Sequence, residues 1–224
     1  MLSIVIPTLN AAAVLSGTLA ALGEARVAGF PHEIVVSDGG SQDGTLDVAR
    51  QADARIVMGS SGRGEQLARG AAAAQGDWLL FLHADTKLAP GWLDVVSAFT
   101  AADGGRAAYF RFALDDPHPS ARRIERLVRW RCARLALPYG DQGLLIARRT
   151  YEAIGGFSSL PLMEDVDIAR RLGSARLVAL DHAAITSAHR YRRDGWWARP
   201  ARNLICLSLY FLGIPPTLLL RFYR

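Results

Sequence analysis

The segment QGDWLLFLHADT, residues 75–86, places five consecutive apolar residues directly before a short polar turn. An apolar run of this length, bounded by turn residues, is typical of a strand that is buried on both faces of a sheet. We therefore predict a strand over residues 78–82 that ends at His83-Ala84-Asp85.

Similar apolar runs precede this segment, and a stretch of helical length separates each run from the next. The predicted strands cover residues 3–10, 33–37 and 55–58, and the predicted helices cover residues 11–29, 45–51 and, after a flexible loop at 62–64, residues up to about 74. This alternation predicts an α/β fold with a mostly parallel, Rossmann-like sheet and helices on both faces. Ligands of such sheets bind at the carboxyl ends of the strands.

Polar residues fall at that predicted edge. Thr8 and Asn10 follow the first strand, Asp38 follows the second, and Asp85 follows the fourth. A single Asp at a strand end is usually a turn residue or a helix cap. Several polar residues at one edge of one sheet favour a binding site.

The second half of the chain is less regular. We predict strands over residues 106–114 and 143–147, and helices over residues 120–136, 151–154 and 164–172. No linker rich in Pro, Gly or Ser interrupts this region. We therefore predict one domain over residues 1–190 and a C-terminal extension over residues 191–224.

The composition narrows the class of protein. Half of the 224 residues are hydrophobic and 21% are charged, which supplies a packed core and excludes a disordered chain. Cys132 and Cys206 form no metal-binding or redox spacing, so a disulfide framework and a zinc finger are excluded. The first apolar run breaks at Pro7 without preceding basic residues, so we expect no signal peptide and a cytoplasmic location.

The net charge of +5 is concentrated in the second half of the chain. Residues 122–134 carry six Arg and one Glu, and residues 190–202 carry five Arg and one Asp. No nucleic-acid-binding motif accompanies these clusters, so we expect no nucleic-acid partner. Basic residues beside apolar sequence favour an anionic membrane surface, although a solvated helix face explains the first cluster equally well.

The C-terminal sequence is apolar and is broken by Pro215-Pro216. It is marginal in length for a membrane span, and adjacent prolines argue against one straight helix. The flanking residues resemble interfacial anchors; they are Trp196, Trp197, Arg199, Arg202, Arg221, Tyr223 and Arg224. Two interpretations stay open. The segment contacts a membrane surface or a second copy of the chain in a homodimer, which we favour slightly, or it is a core helix packed on the sheet.

Four motifs in order resemble the family 2 glycosyltransferases. They are SIVIPTLN (3–10), DGGSQDGT (38–45), QGDWLLFLHADT (75–86) and MEDVD (163–167). The resemblance implies a GT-A fold and the inverting transfer of a sugar from a nucleotide sugar, preferably a UDP-sugar, to a small-molecule or lipid hydroxyl. The segments GRGEQLARGA (62–71), GDQGLLIARRTYEAIGGF (140–157) and TSAHRY (186–191) resemble a small bacterial subgroup linked to arsenosugar biosynthesis and to carotenoid-acid glycosyltransferase-like proteins.

The donor site is assigned by this resemblance. Pro7 and Thr8 are expected to line the base pocket, with Asn10 in the same site. Asp38 is expected to accept hydrogen bonds from the base or the ribose. Arg63, which stands between two glycines, can reach a phosphate of the donor.

The segment His83-Ala84-Asp85 stands where the family has a DxD motif. The resemblance makes Asp85 the ligand of a divalent cation, Mn²⁺ or Mg²⁺, that bridges the diphosphate and stabilises the leaving group. The first carboxylate of the motif is replaced here by His83, which suits Mg²⁺ poorly. A contact of His83 with the ribose or a phosphate, and a turn histidine without a role, stay open.

Glu164 and Asp165 stand at the family's catalytic position. The resemblance implies that Asp165 is the base that deprotonates the acceptor hydroxyl and that Glu164 orients the acceptor. We expect Gly140, Asp141 and Gln142 to line the acceptor or sugar pocket. The alternative is that the acidic residues only stabilise a helix N-terminus.

Two other functions compete with sugar transfer. A nucleotidyltransferase of similar fold would need a basic, Gly-rich loop after the first strand, and PTLNAAA (7–13) lacks one. A catalytically weak nucleotide-sugar-binding partner protein is favoured by the altered His83-Ala84-Asp85, but Asp165 argues against it. We therefore predict a glycosyltransferase in the cytoplasm or peripheral at the inner face of the cytoplasmic membrane.

Overall fold

The computed structural model describes residues 1–102 and 104–223, without the side chain of Tyr223. Arg224, one of the predicted anchors, lies outside the described residues. The strands are β1 Leu2–Thr8, β2 His32–Asp38, β3 Arg55–Met58, β4 Trp78–Phe81, β5 Thr86–Leu88, β6 Ala107–Leu114, β7 Leu144–Ala147 and β8 Leu177–Thr186. The helices are α1 Ala12–Val27, α2 Thr45–Gln51, α3 Arg63–Ala73, α4 Trp92–Ala101, α5 Pro119–Leu135, α6 Arg148–Ala153, α7 Glu164–Leu172, α8 His189–Asp194, α9 Ala198–Phe211 and α10 Pro216–Tyr223.

The strands form one sheet in the order β3-β2-β1-β4-β7-β6-β8-β5. β3, β2, β1 and β4 run parallel, as the sequence predicts. β7 is antiparallel to both of its neighbours, and β5 is antiparallel to β8, so the second half of the sheet is mixed. Because β1 lies between β2 and β4, the carboxyl ends of these three strands meet at one edge.

Alternating side chains along β1 build a core on each face of the sheet. Ile4 and Ile6 pack with α1 and α4, including the fully buried Trp92. Val5 faces the opposite layer, where Leu67 of α3 packs together with residues of α7. Burying side chains of this size contributes about 1.5–3 kcal/mol each, which holds β1 at the centre. The predicted helical layers on both faces are confirmed.

The C-terminal helices pack on α7 through one face. Their inner side chains join a cluster with α7 and the loop after α5, and its members include Leu137, Val166, Cys206, Leu207 and Leu219. α9 ends and α10 begins on either side of Pro215, so the prolines interrupt the helix as predicted. Within residues 1–102 and 104–223, none of the helices combines the length and apolarity needed to cross a bilayer.

Some elements differ from the sequence prediction. β5, α4 and β8 were not predicted; β5 has three residues, and the alternation in β8 is broken by polar Asp181-His182. The predicted loop at 62–64 is shorter than expected, because α3 begins at Arg63. Gly62, at φ 153°, makes the sharp entry into this helix.

Candidate active site

Asp38 ends β2 beside Thr8, its register partner at the end of β1. Its fully buried carboxylate accepts hydrogen bonds from Thr8 Oγ1 at 2.8 Å, Gly40 N at 2.8 Å, Ser41 N at 2.7 Å and Ser41 Oγ at 2.6 Å. Burial raises the pKa of this carboxyl, but the hydrogen bonds from Ser41, Thr8 and Gly40 outweigh burial and lower the pKa below its ordinary value. The four hydrogen bonds that the Asp38 carboxylate accepts therefore hold the loop after β2 in place.

Asn10 holds the same loop from the other side. It adopts φ 49°, its backbone N–H donates to Ser41 Oγ at 2.8 Å, and its Oδ1 accepts from Gln42 N at 2.9 Å. Left-handed backbone is tolerated by Asn better than by most residues. The loop after β2 is therefore fixed against the end of β1.

Gln66 is a residue that the sequence prediction missed. Its Nε2 donates to Thr8 O at 2.7 Å and to Ser37 O at 3.1 Å, and it is buried. Arg69, one turn further along α3, donates to Asp38 O at 3.0 Å. α3 thereby braces the ends of β1 and β2; a polar residue on the inner face of a helix, as in GRGEQLARGA, is the signal that could have found it.

A large cleft of about 570 Å³ opens at this edge of the sheet. Its lining brings together six of the predicted donor-site residues, which are Pro7, Thr8, Asn10, Arg63, His83 and Asp85. Asp38 is not part of the lining. His189 and Arg190 of α8, and Leu220 of α10, complete it.

Asp85 and His83 both lie near arginine side chains. Arg190 Nη2 lies 4.0 Å from Asp85 Oδ2. The pKa of His83 is lowered to about 3, chiefly by burial and also by Arg63 and Arg190, against the opposing effect of Asp85. The imidazole is therefore neutral at pH 7. It packs against Gly140, where any side chain would overlap Nε2 of His83.

The metal-binding capacity of this edge rests on Asp85. Among residues 1–102 and 104–223, no three His, Cys, Asp or Glu side chains are grouped to hold a metal ion. A cation that bridges phosphates needs only one or two protein carboxylates, because phosphate oxygens and water complete its coordination. Asp85 lines the cleft with a side chain that is 19% exposed, so it fits the role of such a carboxylate.

A second, deeper cavity of about 80 Å³ adjoins the cleft and shares Arg63, His83, Asp85 and Arg190 with it. Its further lining includes Gly140, Asp141 and Asp165, together with Tyr191, Arg199 and Asn203 from the C-terminal helices. The structure thus brings the predicted base and the predicted cation ligand to one cavity.

Asp165 is held in place by backbone donors. Its Oδ2 accepts from Gly140 N at 2.9 Å, and its Oδ1 accepts from Val166 N at 2.7 Å. Glu164 beside it is 1% exposed, and Arg63 Nη1 lies 3.5 Å from its Oε1. Burial raises the pKa of Glu164 to about 7, with Arg63 opposing and Asp165 adding to the rise.

Asp141 and Gln142 have different surroundings. Asp141 lines the deeper cavity, and its pKa is raised to about 6, chiefly by burial, with Arg131 opposing this rise. Gln142 is buried elsewhere: its Nε2 donates to Phe110 O at 3.1 Å, and its Oε1 accepts from Arg131 Nη2 at 3.1 Å. The prediction that Gln142 lines this pocket is therefore not met, because its amide is used in packing α5 on the sheet.

Several cavity residues come from the C-terminal region that the sequence analysis treated mainly as surface. They are Thr186, Ser187, Arg190, Tyr191, Arg199 and Asn203. The polar run TSAHRY directly after β8 was the available signal, since polar residues after a strand mark a sheet edge.

The sequence of this chain is similar to those of known glycosyltransferases. The model of the family described as Glycosyl transferase family 2 matches residues 3–153. A PGL/p-HBAD biosynthesis glycosyltransferase of Mycobacterium bovis (strain BCG / Pasteur 1173P2) is 41% identical over 95 residues, which are 39% of this chain. The match spans only 36% of that relative's length. A validoxylamine A glucosyltransferase of Streptomyces hygroscopicus subsp. jinggangensis is 48% identical over 56 residues, 25% of this chain and 13% of the relative.

Solved structures share the fold at low identity. Glucosyl-3-phosphoglycerate synthase from Mycobacterium tuberculosis, in complex with Mn²⁺ and UDP-glucose, has a TM-score of 0.66 at 21% identity, covering 96% of this chain and 80% of that chain. TarS of S. aureus has a TM-score of 0.66 at 16% identity, covering 92% and 39%. The predicted GT-A-type α/β fold is confirmed, and by the match over residues 3–153 this chain belongs to the family 2 glycosyltransferases.

Proposed function

We propose that this chain transfers a sugar from a nucleoside diphosphate sugar, preferably a UDP-sugar, to an acceptor hydroxyl with inversion at the anomeric carbon. One observation carries the proposal. Asp85 and Asp165 face the same cavity, and Arg63 and Arg190 line both that cavity and the adjoining cleft. A site for an anionic leaving group therefore lies next to a carboxylate placed to act as a base.

The donor's diphosphate is proposed to lie between Arg63 and Arg190, because a planar guanidinium group can donate two parallel hydrogen bonds to the oxygens of one phosphate. Asp85 would hold a divalent cation, which would neutralise charge on the departing diphosphate. Arg190 and Arg63 supply positive charge at the same place from this chain's own residues. His83, being neutral, adds no charge and can accept or donate one hydrogen bond to the donor.

Asp165 is proposed to take the proton from the acceptor hydroxyl. The oxygen then attacks the anomeric carbon, the bond from that carbon to the diphosphate oxygen breaks, and the nucleoside diphosphate leaves with the electron pair. The backbone N–H of Gly140 fixes the orientation of Asp165. The leaving group is already a good one, so a second acidic residue is not required.

The preference for UDP and membership in the subgroup linked to arsenosugar biosynthesis rest on sequence motifs alone. Relatives of similar fold have been solved with UDP-glucose and Mn²⁺. These facts support UDP-glucose and Mn²⁺ as the first probes to use.

The acceptor is proposed to be a small molecule or a lipid, and the C-terminal helices to contact an anionic membrane surface. Their outer faces carry exposed apolar side chains, which are Trp197, Leu204, Ile205, Phe211, Leu212, Leu218 and Phe222. Arg170 lies over the Phe211 ring at 5.1 Å, and Arg221 is exposed. Apolar and basic side chains together suit an anionic bilayer, and Leu220 of α10 places this surface beside the cleft. Self-association through the same face is the alternative.

A thermal-shift screen tests the donor class. A ligand that binds only the folded protein raises Tm by mass action. We expect UDP and UDP-glucose to raise Tm, and Mn²⁺ to enlarge the shift if Asp85 holds a cation. If the Tm shift is the same with and without metal, the proposed donor class stands, and Arg63 and Arg190 neutralise the charge of the diphosphate. No shift with uridine, guanosine or thymidine diphosphate sugars would contradict the proposal.

A further inference from the structure

Two C-terminal helices form one wall of the deeper cavity. α8 contributes Arg190 and Tyr191, and α9 contributes Arg199 and Asn203. Asn203 also lines a small adjoining hollow of about 40 Å³, together with Arg63 and Glu164. The segment predicted to be an extension therefore reaches the same space as the proposed base.

An ion-pair network fixes the N-terminal part of α9, the helix that carries Asn203. Asp194, at the end of α8, accepts from Arg199 Nη1 at 3.2 Å and from Arg202 Nη2 at 2.9 Å. Hydrogen bonds and nearby charge from Arg193, Arg202 and Arg199 together hold the pKa of Asp194 well below its ordinary value, against a smaller opposing effect of burial. Arg199 and Arg202 precede Asn203 on the helix by four positions and by one, so the network fixes the backbone that carries Asn203.

The polar atoms around this space have a common chemistry. Three buried oxygens accept no hydrogen bond from the described residues, and they are Asp141 Oδ1, Glu164 Oε2 and Asn203 Oδ1. Glu164 is 1% exposed, and Asp141 and Asn203 line the cavity. Buried acceptors without donors are costly, at about 1–3 kcal/mol each. A ligand rich in hydroxyl groups supplies partners for such atoms, because each hydroxyl group both donates and accepts.

The position of the cavity identifies which hydroxyl groups these are. A donor whose diphosphate lies at Arg63, Asp85 and Arg190 carries its sugar on the terminal phosphate. The deeper cavity begins at these same residues and extends to Asp141, Asp165 and Asn203. The sugar of the donor must therefore occupy this space before transfer.

We propose that Asn203 is a specificity-determining residue that hydrogen-bonds a hydroxyl group of the donor's sugar. This inference rests on the proposed function and deepens it. An Asn amide both donates and accepts, so it distinguishes a correctly oriented hydroxyl from its epimer. The inner face of α9 would then select the sugar.

Calorimetric titration of the full chain with UDP and with UDP-glucose tests this role. The variants are Asn203→Ala and the more conservative Asn203→Ser, with Ser208→Ala on the exposed face of the same helix as the matched control. We expect Asn203→Ala to weaken UDP-glucose about 3- to 10-fold while UDP binds unchanged, because one neutral hydrogen bond is lost and only the sugar makes it. Ser208→Ala should change neither Kd.

The outcomes separate the inference from the proposed function. Wild-type protein that binds neither UDP nor UDP-glucose contradicts both. If the wild-type protein binds UDP and UDP-glucose and both Asn203 variants bind them with unchanged Kd values, only the inference is overturned. A hydroxyl group of the acceptor would then be the partner of Asn203. Equal weakening of UDP and UDP-glucose, in a variant with unchanged Tm, also overturns it, because Asn203 would then act on the nucleotide.

Discussion

Arg63 and Glu164 are the first residues of α3 and α7, and Arg63 Nη1 lies 3.5 Å from Glu164 Oε1. The two residues are 101 positions apart in sequence. Glu164 is almost fully buried, whereas the Arg63 side chain is about one-third exposed. Arg63 is the proposed phosphate-binding residue, and Glu164 precedes the proposed base, Asp165. This one contact therefore links the donor-binding site to the base.

Removing Arg63 should cost stability because it leaves Glu164 buried without its partner. We expect Arg63→Ala to lower the free energy of unfolding by about 1–3 kcal/mol at pH 8, a value reduced from that of a fully buried pair because Arg63 is partly exposed. In the Glu164→Gln background the same substitution should cost much less. Urea unfolding of the four proteins of this double-mutant cycle measures the coupling; additive effects would contradict a shared contact.

The raised pKa of Glu164 predicts a pH dependence of stability. The carboxyl has a pKa of about 7 when folded, through burial and Asp165 against Arg63, compared with an ordinary 4.5. Between these values the folded protein holds a proton that the unfolded chain has lost, so stability falls as the pH rises from about 5 to 7. Glu164→Gln cannot lose a proton, and its stability relative to wild type should rise by about 2–3 kcal/mol from pH 5 to pH 8. If the urea midpoints of wild type and Glu164→Gln change with pH in parallel, the pH dependence does not come from Glu164.

Asp165→Asn tests the base. The amide oxygen can still accept from Gly140 N, with loss of the hydrogen bond from Val166 N, so the fold and the donor site should persist, but the residue can no longer take a proton. We expect kcat to fall about 10²- to 10⁴-fold while the Kd for UDP changes less than twofold. Asp181→Asn, a fully exposed carboxylate on β8, is the control. An equal loss of donor affinity would argue for a role in binding.

Asp38→Ala should weaken UDP binding about tenfold, acting through the loop after β2. The substitution removes the acceptor shared by Thr8 Oγ1, Gly40 N and Ser41, so the edge of the cleft loosens. Asp47→Ala is the matched control, because Asp47 is an exposed carboxylate that pairs with Arg50 within α2 and does not line the cleft. Unchanged affinity would remove Asp38 from the donor site. Tighter binding in Ser41→Ala would instead indicate a direct contact between Asp38 and the nucleotide.

The membrane proposal is testable without truncation. Deleting α9 and α10 would uncover the cluster around Val166, so loss of binding would not be informative. The double substitution Leu212→Ser/Phe222→Ser changes two side chains that are 79% and 68% exposed. We expect it to reduce co-sedimentation with phosphatidylglycerol vesicles severalfold. Val27→Ser, also exposed but on α1, should sediment like wild type. Wild-type protein that stays in the supernatant would contradict the proposal.

Local patterns were sufficient for the elements from β1 to β4, which cover residues 2–81. Alternation of apolar strands and helices gave β1 to β4 and α1 to α3 within a few residues, because each element buries its own continuous apolar run. β8 could not be predicted in this way. Its residues are partly exposed, and its pairing with β6 and β5 joins segments that are distant in sequence.

The sequence by itself determined the α/β class, the family, and the polar residues at the ends of β1, β2 and β4. Apolar strands that alternate with helices indicate a parallel sheet, and polar residues directly after such strands lie at its carboxyl edge. Tertiary structure decided how those residues are used. In the folded chain, the carboxylate of Asp38 accepts hydrogen bonds that hold its own loop, and the amide of Gln142 helps to pack α5 on the sheet. Asn203 of α9 lies at the cavity of Asp165. These outcomes depend on hydrogen-bond partners and packing between elements far apart in the chain, and no local periodicity encodes them.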